Sequence, residues 1–123
     1  MRGNKSSGTK PELKLRKALW AAGMKGYRTN YRGLRGTPDI VYIGAQVAVF
    51  VDGCFWHACP EHYVEPKTRV AFWRAKAVRN RAYDEDITRH LVREGWKVVR
   101  IWEHEIRDDL PGCVQRVRGV LLR

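Results

Sequence analysis

The segment from Val47 to Val51 is apolar at five consecutive positions. A strand with one face in water alternates apolar and polar residues, whereas an unbroken apolar run is typical of a strand covered on both faces. Covering a sheet on both faces requires helices above and below it. The run therefore predicts an α/β domain, in which a mixed central β-sheet flanked by helices contains a buried strand over residues 46–51.

The flanking segments supply the other elements of this domain. Thr9 and Glu12 have the spacing of a capping box, and the apolar residues after them recur at helical spacing as far as Gly23. Gly44 and Ala45 predict a hairpin turn. The predicted order is α-β-β-β-α-β-α, with strands over 27–32, 38–43, 46–51 and 97–102, a long helix over 69–94 and a last helix over 111–122. The 123 residues fit one domain, 1–123, of which we expect residues 1–8 to be flexible.

The positive charge of the chain is large and clustered. The formal net charge is +11; residues 1–36 hold ten Lys or Arg against one acid, Glu12, and residues 67–81 hold six more with no acid. Clustered basic residues with aromatic residues among them favour a nucleic acid over an acidic protein or a membrane surface as partner. No apolar run is long enough to cross a bilayer, and no apolar signal segment follows the basic N-terminus. We therefore expect a soluble cytoplasmic protein.

Thiols and imidazoles are crowded directly after the apolar strand. Cys54, Cys59 and His62 form the pattern C-x4-C-x2-H. Zinc binds thiolate and imidazole in closed tetrahedral sites, which are structural. If the strands over 46–51 and 97–102 are neighbours, His104 lies at the same end of the sheet and completes a structural zinc site. The alternative is that the two cysteines are buried thiols and the histidines are ordinary surface residues.

One histidine and one cysteine, His57 and Cys113, are not part of the proposed zinc site. His57 lies between the ligands, so zinc would hold its backbone rigidly while its imidazole stays available for proton transfer. Cys113 stands in an apolar C-terminal stretch, which is typical of a plain buried thiol. We therefore assign a functional role to His57 and a structural one to Cys113.

Carboxylates flank the predicted hairpin. Asp39 opens one strand and Asp52 ends its partner. Carboxylates on two paired strands can hold a divalent cation against a scissile phosphate, where the cation stabilises charge and activates water. On the long helix, Trp73 and Asp84 share one face with Ala77 and Asn80, which can bring an aromatic ring and a carboxylate to the same site. The alternative for Asp84 is a salt bridge on the helix surface.

These motifs resemble those of the Vsr (very-short-patch repair) DNA mismatch endonucleases, within the Pro-Asp…(Asp/Glu)-x-Lys nuclease superfamily. The general superfamily pattern is incomplete, because Cys54 stands where it requires lysine. The narrower family matches from Met1 to about Ile106. The matching segments are Gly36-Thr37-Pro38-Asp39, Phe50-Val51-Asp52-Gly53-Cys54-Phe55-Trp56-His57, Phe72-Trp73, residues 80–84, Gly95-Trp96 and Ile101-Trp102-Glu103.

The resemblance implies a restriction-endonuclease-like fold and a magnesium-dependent enzyme. Such an enzyme nicks DNA 5′ to the T of a T/G mismatch, the lesion left when 5-methylcytosine deaminates. By resemblance, Asp39 and the backbone carbonyl of Val51 coordinate magnesium. His57 is then the general base for the attacking water, with Asp84 orienting and polarising it, and Glu12 supports the active site from the first helix.

The resemblance also assigns Phe55, Trp56 and Trp73 as side chains that wedge into the duplex beside the mismatch. Separating a base step costs least where pairing is already poor, so aromatic insertion selects weakened sites. Two positions depart from the family pattern. Asp52 stands where some members carry a catalytic histidine, and Tyr83 replaces the usual arginine before Asp84.

The resemblance implies a monomer that acts on mismatched double-stranded DNA and has a functional link to a cytosine-5 DNA methyltransferase. The family usually carries an N-terminal arm before the pair that is Met1-Arg2 here. Two other functions fit the same residues: a restriction-type or junction nuclease on the same fold, and a non-catalytic zinc-containing DNA-binding module. Retention of Asp39, His57 and Asp84 argues against the binding module, because binding alone requires none of them.

Overall fold

The computed structural model describes residues 10–53 and 69–122. Within these residues the chain forms a four-stranded sheet and four helices. The elements are, in order, α1 (Lys10–Ala21), β1 (Arg28–Thr29), β2 (Ile40–Tyr42), β3 (Val47–Asp52), α2 (Val70–Arg93), β4 (Lys97–Trp102), α3 (Glu103–Asp108) and α4 (Leu110–Leu121). The predicted mixed α/β architecture is confirmed.

The sheet has the strand order β1-β2-β3-β4 and contains both antiparallel and parallel pairs. β2 and β3 form the predicted antiparallel hairpin, in which Val41 lies opposite Ala48. β3 and β4 are parallel, and their last residues, Asp52 and Trp102, lie opposite each other in the register of the pair. The carboxyl ends of these two strands therefore lie side by side, as the prediction for His104 required.

The central strand β3 is buried on both faces. On one face, Val47 and Val49 belong to a core formed with apolar residues of α1, α3 and α4, including Leu15, Ile106 and Val117. On the other face, residues of the sheet pack against α2 in a smaller cluster made of Val41, Ala48, Phe50, Ile87 and Leu91. The uninterrupted apolar run therefore reflects helices on both sides of the sheet, as predicted.

Apart from shifts of one residue at element ends, the elements differ from the prediction in three places. β2 covers Ile40–Tyr42 rather than residues 38–43. β1 covers only Arg28–Thr29 of the six residues predicted, and the short helix α3 was not predicted. α3 is polar apart from Ile106, so it has no apolar periodicity to detect. Its start is fixed by a backbone contact, because the amide of Trp102 donates to Glu105 Oε1 at 2.8 Å.

Other predictions about single positions have mixed outcomes. Cys113 is buried, as predicted, and burial raises the pKa of its thiol. The predicted capping box cannot be compared, because Thr9 lies outside the described residues, as does the expected flexible segment 1–8. No helix in the described part of the chain is long and apolar enough to span a membrane.

Candidate active site

The hairpin brings Asp39 and the end of β3 together. Asp39 immediately precedes β2, and the backbone amide of Val51 in β3 donates to Asp39 Oδ2 at 2.7 Å. Asp52 follows Val51 and is buried. Its negative charge raises the pKa of the Asp39 carboxyl. Asp39 and Asp52 thus belong to the same end of the hairpin, and their joint role in holding a cation stays a prediction.

Glu12 adds a third carboxylate from α1. Its side chain is 1 % exposed and forms an ion pair with Arg16, one turn further along the helix. Asn30 donates to Glu12 Oε2 at 3.4 Å and accepts from Arg16 Nη2 at 3.1 Å. The backbone amide of Asn30 also donates to the backbone carbonyl of Asp39 at 3.0 Å. Glu12 is therefore fixed beside Asp39, the position expected of a residue that supports the active site.

This environment raises the pKa of Asp39 to about 7. Burial is the largest cause, because it disfavours the charged form. The hydrogen bond from Val51 lowers the pKa, while the negative charges of Glu12 and Asp52 and a hydrogen bond with Glu12 raise it further. A bound cation would relieve the repulsion between these carboxylates, so the electrostatics of the cluster favour a metal ion.

Arg100 connects the end of β3 to α2. Its guanidinium donates from Nη1 to Asp52 Oδ1 at 2.9 Å, from Nη2 to the carbonyl of Asp84 at 3.1 Å and from Nε to Thr88 Oγ1 at 2.8 Å. It also lies over the ring of Phe50, 4.3 Å from the centroid. Arg100 was not among the predicted site residues. The sequence does carry a signal, because Arg100 is a lone basic residue inside the otherwise apolar run Val98–Trp102 of β4.

The predicted face of α2 points towards the body of the domain. Ala77 is buried, and Trp73, Asn80 and Asp84 are half-buried. Asp84 Oδ1 lies 3.9 Å from Arg100 Nη1, so this carboxylate has an ion partner across the domain. A cavity of about 340 Å³ opens beside it and is lined by Asp84, Glu85, Thr88, Arg89 and Arg100. Asp84 therefore lies at an open surface depression that it shares with Arg100.

Several predicted site residues lie outside the described residues: His57, the proposed general base; the aromatic residues Phe55 and Trp56; and the proposed zinc ligands Cys54, Cys59 and His62. Their partner His104 is described. It is buried at the start of α3, immediately after the strand end that adjoins Asp52. Trp73 is described on α2, where its ring makes an edge contact with Phe72.

The donor chemistry of the site suits magnesium. Within residues 10–53 and 69–122, no three His, Cys, Asp or Glu side chains are grouped as a metal site. Magnesium, however, keeps several waters and is usually held by only one or two carboxylates. The Asp39 carboxylate and the Val51 carbonyl supply hard oxygen donors of this kind at the paired strand ends, so the residues present fit the ion.

The fold of this chain is similar to that of a known nuclease domain. The homing endonuclease I-Bth0305I catalytic domain superposes with a TM-score of 0.60 over 94% of this chain and 96% of that one, at 18% identity. This likeness concerns the fold, and it agrees with the restriction-endonuclease-like architecture that was predicted.

The sequence comparisons identify the family. The family model "DNA mismatch endonuclease Vsr" matches residues 1–62. The type II nicking enzyme V.NaeI of Lentzea aerocolonigenes is 43% identical over 119 residues, 93% of this chain and 71% of that protein. The DNA mismatch endonuclease Vsr of Escherichia coli K12 is 32% identical over 108 residues, 87% of this chain and 69% of that protein. The chain therefore belongs to the Vsr family of DNA endonucleases.

Proposed function

We propose that this chain nicks double-stranded DNA 5′ to the T of a T/G mismatch and so initiates very-short-patch repair. The observation that carries the proposal is the placement of Asp39 and Asp52 at one end of the hairpin, with Glu12 of α1 beside Asp39, in a member of the Vsr family. The names of the relatives, a mismatch endonuclease and a type II nicking enzyme, support a cut in one strand.

Hydrolysis of a phosphodiester needs compensation of developing negative charge and a base for the attacking water. We assign Asp39 and the Val51 carbonyl as magnesium ligands; the bound ion supplies the positive charge that stabilises the phosphate in the transition state. Asp52 and Glu12 add negative charge that favours cation binding. His57 takes the proton from the attacking water. Asp84, which borders the cavity beside Arg100, orients and polarises His57.

Recognition of the mismatch is assigned to aromatic side chains. Trp73 lies half-buried on the face of α2 that leads to Asp84. With Phe55 and Trp56, it would enter the base stack at the mismatch, where a poorly paired step costs less to open than a Watson–Crick step. The lesion arises when 5-methylcytosine deaminates, and 5-methylcytosine is the product of a cytosine-5 DNA methyltransferase. This chain would therefore repair the sites that such a methyltransferase modifies. We propose that the chain acts as a monomer.

We also propose a structural zinc ion bound by Cys54, Cys59, His62 and His104. The position of His104 supports this proposal: it lies two residues after Trp102, whose partner across the parallel pair is Asp52, two residues before Cys54. Thiolate and imidazole are the ligands that zinc prefers. Such an ion would join the segment after β3 to the beginning of α3.

The test of specificity is a panel of labelled duplexes that differ at one base pair. T/G, T/A and C/G duplexes are incubated with the protein and magnesium, and the nick is mapped on both strands against a sequencing ladder. The proposal predicts a single cut 5′ to the mismatched T, with little cleavage of the two paired controls. Equal cleavage of all three duplexes would instead favour a restriction-type nuclease, and tight binding without cleavage would favour a DNA-binding module.

A further inference from the structure

We propose that Arg100 is a positioning residue of the nicking reaction, which holds Asp52 at the end of β3 and Asp84 on α2 in a fixed relation to each other. This inference rests on the proposed nuclease function. It concerns a residue on β4, a strand that contributes none of the catalytic residues assigned above.

The guanidinium of Arg100 contacts two elements through all three of its nitrogens. Nη1 binds Asp52 at the end of β3, while Nη2 and Nε bind the Asp84 carbonyl and Thr88 on α2. The Thr88 hydroxyl also donates to the Asp84 carbonyl at 2.9 Å. Because a guanidinium is planar and its donors have fixed directions, these bonds set the distance between β3 and the turn of α2 that carries Asp84.

Stability alone does not explain a charged residue at this place. Val98, two residues earlier on the same strand, packs against the apolar cluster under α2, as the ring of Phe50 does. A half-buried ion pair is often no more stabilising than apolar residues of similar volume. The arginine is better explained by its acceptors, since both carboxylates that it faces, Asp52 and Asp84, are assigned to the site.

The charge of Arg100 also compensates the carboxylates that it contacts. Asp52 and Asp84 have side-chain exposures of only 9% and 17%, so solvent screens their charges incompletely. Arg100 Nη1 lies 2.9 Å from the Asp52 carboxylate and 3.9 Å from that of Asp84. The guanidinium therefore places positive charge between the two carboxylates within the folded domain, before any DNA is bound.

The experiment separates positioning from DNA binding. Arg100→Met removes the guanidinium, Arg100→Lys keeps the charge but cannot reach all three acceptors, and Thr88→Val loosens the guanidinium without removing it. Arg107→Met is the control, because Arg107 is an exposed arginine paired with Asp108 on α3. We would measure three quantities for each variant: the thermal unfolding midpoint, the Kd for the intact substrate duplex, and the single-turnover nicking rate at saturating protein.

Positioning predicts a loss in rate rather than in affinity. Arg100→Met should slow single-turnover nicking by roughly 100-fold, the scale of effect that small misplacements have on catalysis, with Kd changed less than about threefold. Arg100→Lys should nick at least about tenfold more slowly than wild type. Thr88→Val should show a smaller loss of rate, and Arg107→Met should nick at the wild-type rate. A wild-type rate in Arg100→Lys would show that charge alone suffices and would overturn the proposal, as would a change confined to Kd.

A double-mutant cycle tests the link to Asp52. If Arg100 acts by holding Asp52, then Asp52→Asn combined with Arg100→Met should be no slower than the slower single variant. Additive losses would contradict positioning through Asp52. The wild type could also cut duplexes without mismatch preference while the Arg100 variants cut the same duplexes more slowly. That result would overturn the proposed specificity but would support the positioning role of Arg100. A wild type that nicks no duplex would overturn both.

Discussion

Most of the influences on Asp39 oppose its ionisation. The residue is half-buried, and its burial and the charges of Glu12 and Asp52 raise its pKa, whereas the hydrogen bond from the Val51 amide lowers it. A protein that needed only a stable hairpin would gain from a neutral side chain here. Strain of this kind between carboxylates is common at metal-dependent active sites, where the cation supplies the missing compensation.

The first prediction concerns the stability of Asp39→Asn as a function of pH. The pKa of Asp39 is raised from 3.8 to about 7 in the folded chain, so between these values the folded state binds more protons than the unfolded state. The free energy of unfolding of the wild type therefore falls as pH rises through this window. An asparagine does not titrate, so the variant should gain stability over the wild type as pH rises from 4 to 7 in metal-free buffer.

Urea unfolding of both proteins between pH 4 and pH 8.5 measures this difference. Asp86→Asn is the matched control, because Asp86 is an exposed carboxylate on α2 that pairs with Arg35. Its stability relative to wild type should vary little across the window. A difference between Asp39→Asn and wild type that does not change with pH would contradict the assignment of a raised pKa.

At the scale of elements, the hairpin and the loop before it position the site. The apolar run of β3 was sufficient to predict a central strand, and the flanking carboxylates then predicted where the site lies. Arg100 and Asn30 could not be found in this way, because their roles arise from pairing between segments that are distant in sequence. The polar helix α3 was missed for a related reason, since only Ile106 anchors it to the core.

The second prediction concerns Gly36, in the loop before Asp39. Its φ is +85°, and a Cβ at this position would lie 2.8 Å from Cγ2 of Ile87, a buried residue of α2. Gly36→Ala should therefore lower the free energy of unfolding by roughly 2–4 kcal/mol, through backbone strain and overpacking together. Gly44→Ala is the control, since a Cβ at Gly44 meets nothing within 4 Å and should change stability little. Equal effects in chemical denaturation would contradict this account.

The third prediction concerns zinc and the junction between β4 and α3. Protein purified without chelator should carry about one zinc per chain by elemental mass spectrometry, the ratio of a closed four-ligand site. His104→Ala should lower the zinc content and the thermal midpoint, and EDTA should lower the midpoint of the wild type but much less that of the variant. His90→Ala, which alters a half-buried histidine of α2, should retain the metal. Equal zinc content in both variants would exclude His104 as a ligand.

At the scale of the whole molecule, positive charge is in large excess. The net charge is +11, and α2 alone presents the exposed arginines Arg74, Arg79, Arg81, Arg89 and Arg93. Composition was sufficient to predict a polyanionic partner, and the family assignment agrees with DNA. Composition could not indicate which bases are recognised, because phosphate contacts carry no sequence information.

The fourth prediction follows from this charge. The affinity for a duplex should fall roughly 100-fold or more between 50 and 200 mM salt, because each phosphate contact releases counterions. Arg100→Met should leave the slope of log Kd against log salt unchanged, since its guanidinium is already paired within the protein. A weaker slope in that variant, measured by fluorescence anisotropy, would show that Arg100 contacts the DNA backbone directly.

The central claim is that the carboxylate cluster at the paired strand ends performs magnesium-dependent strand scission. The most direct measurement compares wild type with Asp39→Asn on a duplex carrying one T/G mismatch, with magnesium or with EDTA, at protein concentrations that saturate binding. The account predicts nicking by the wild type in magnesium only, and none by the variant although it still binds the duplex. Nicking by Asp39→Asn at the wild-type rate, or by the wild type in EDTA, would contradict it.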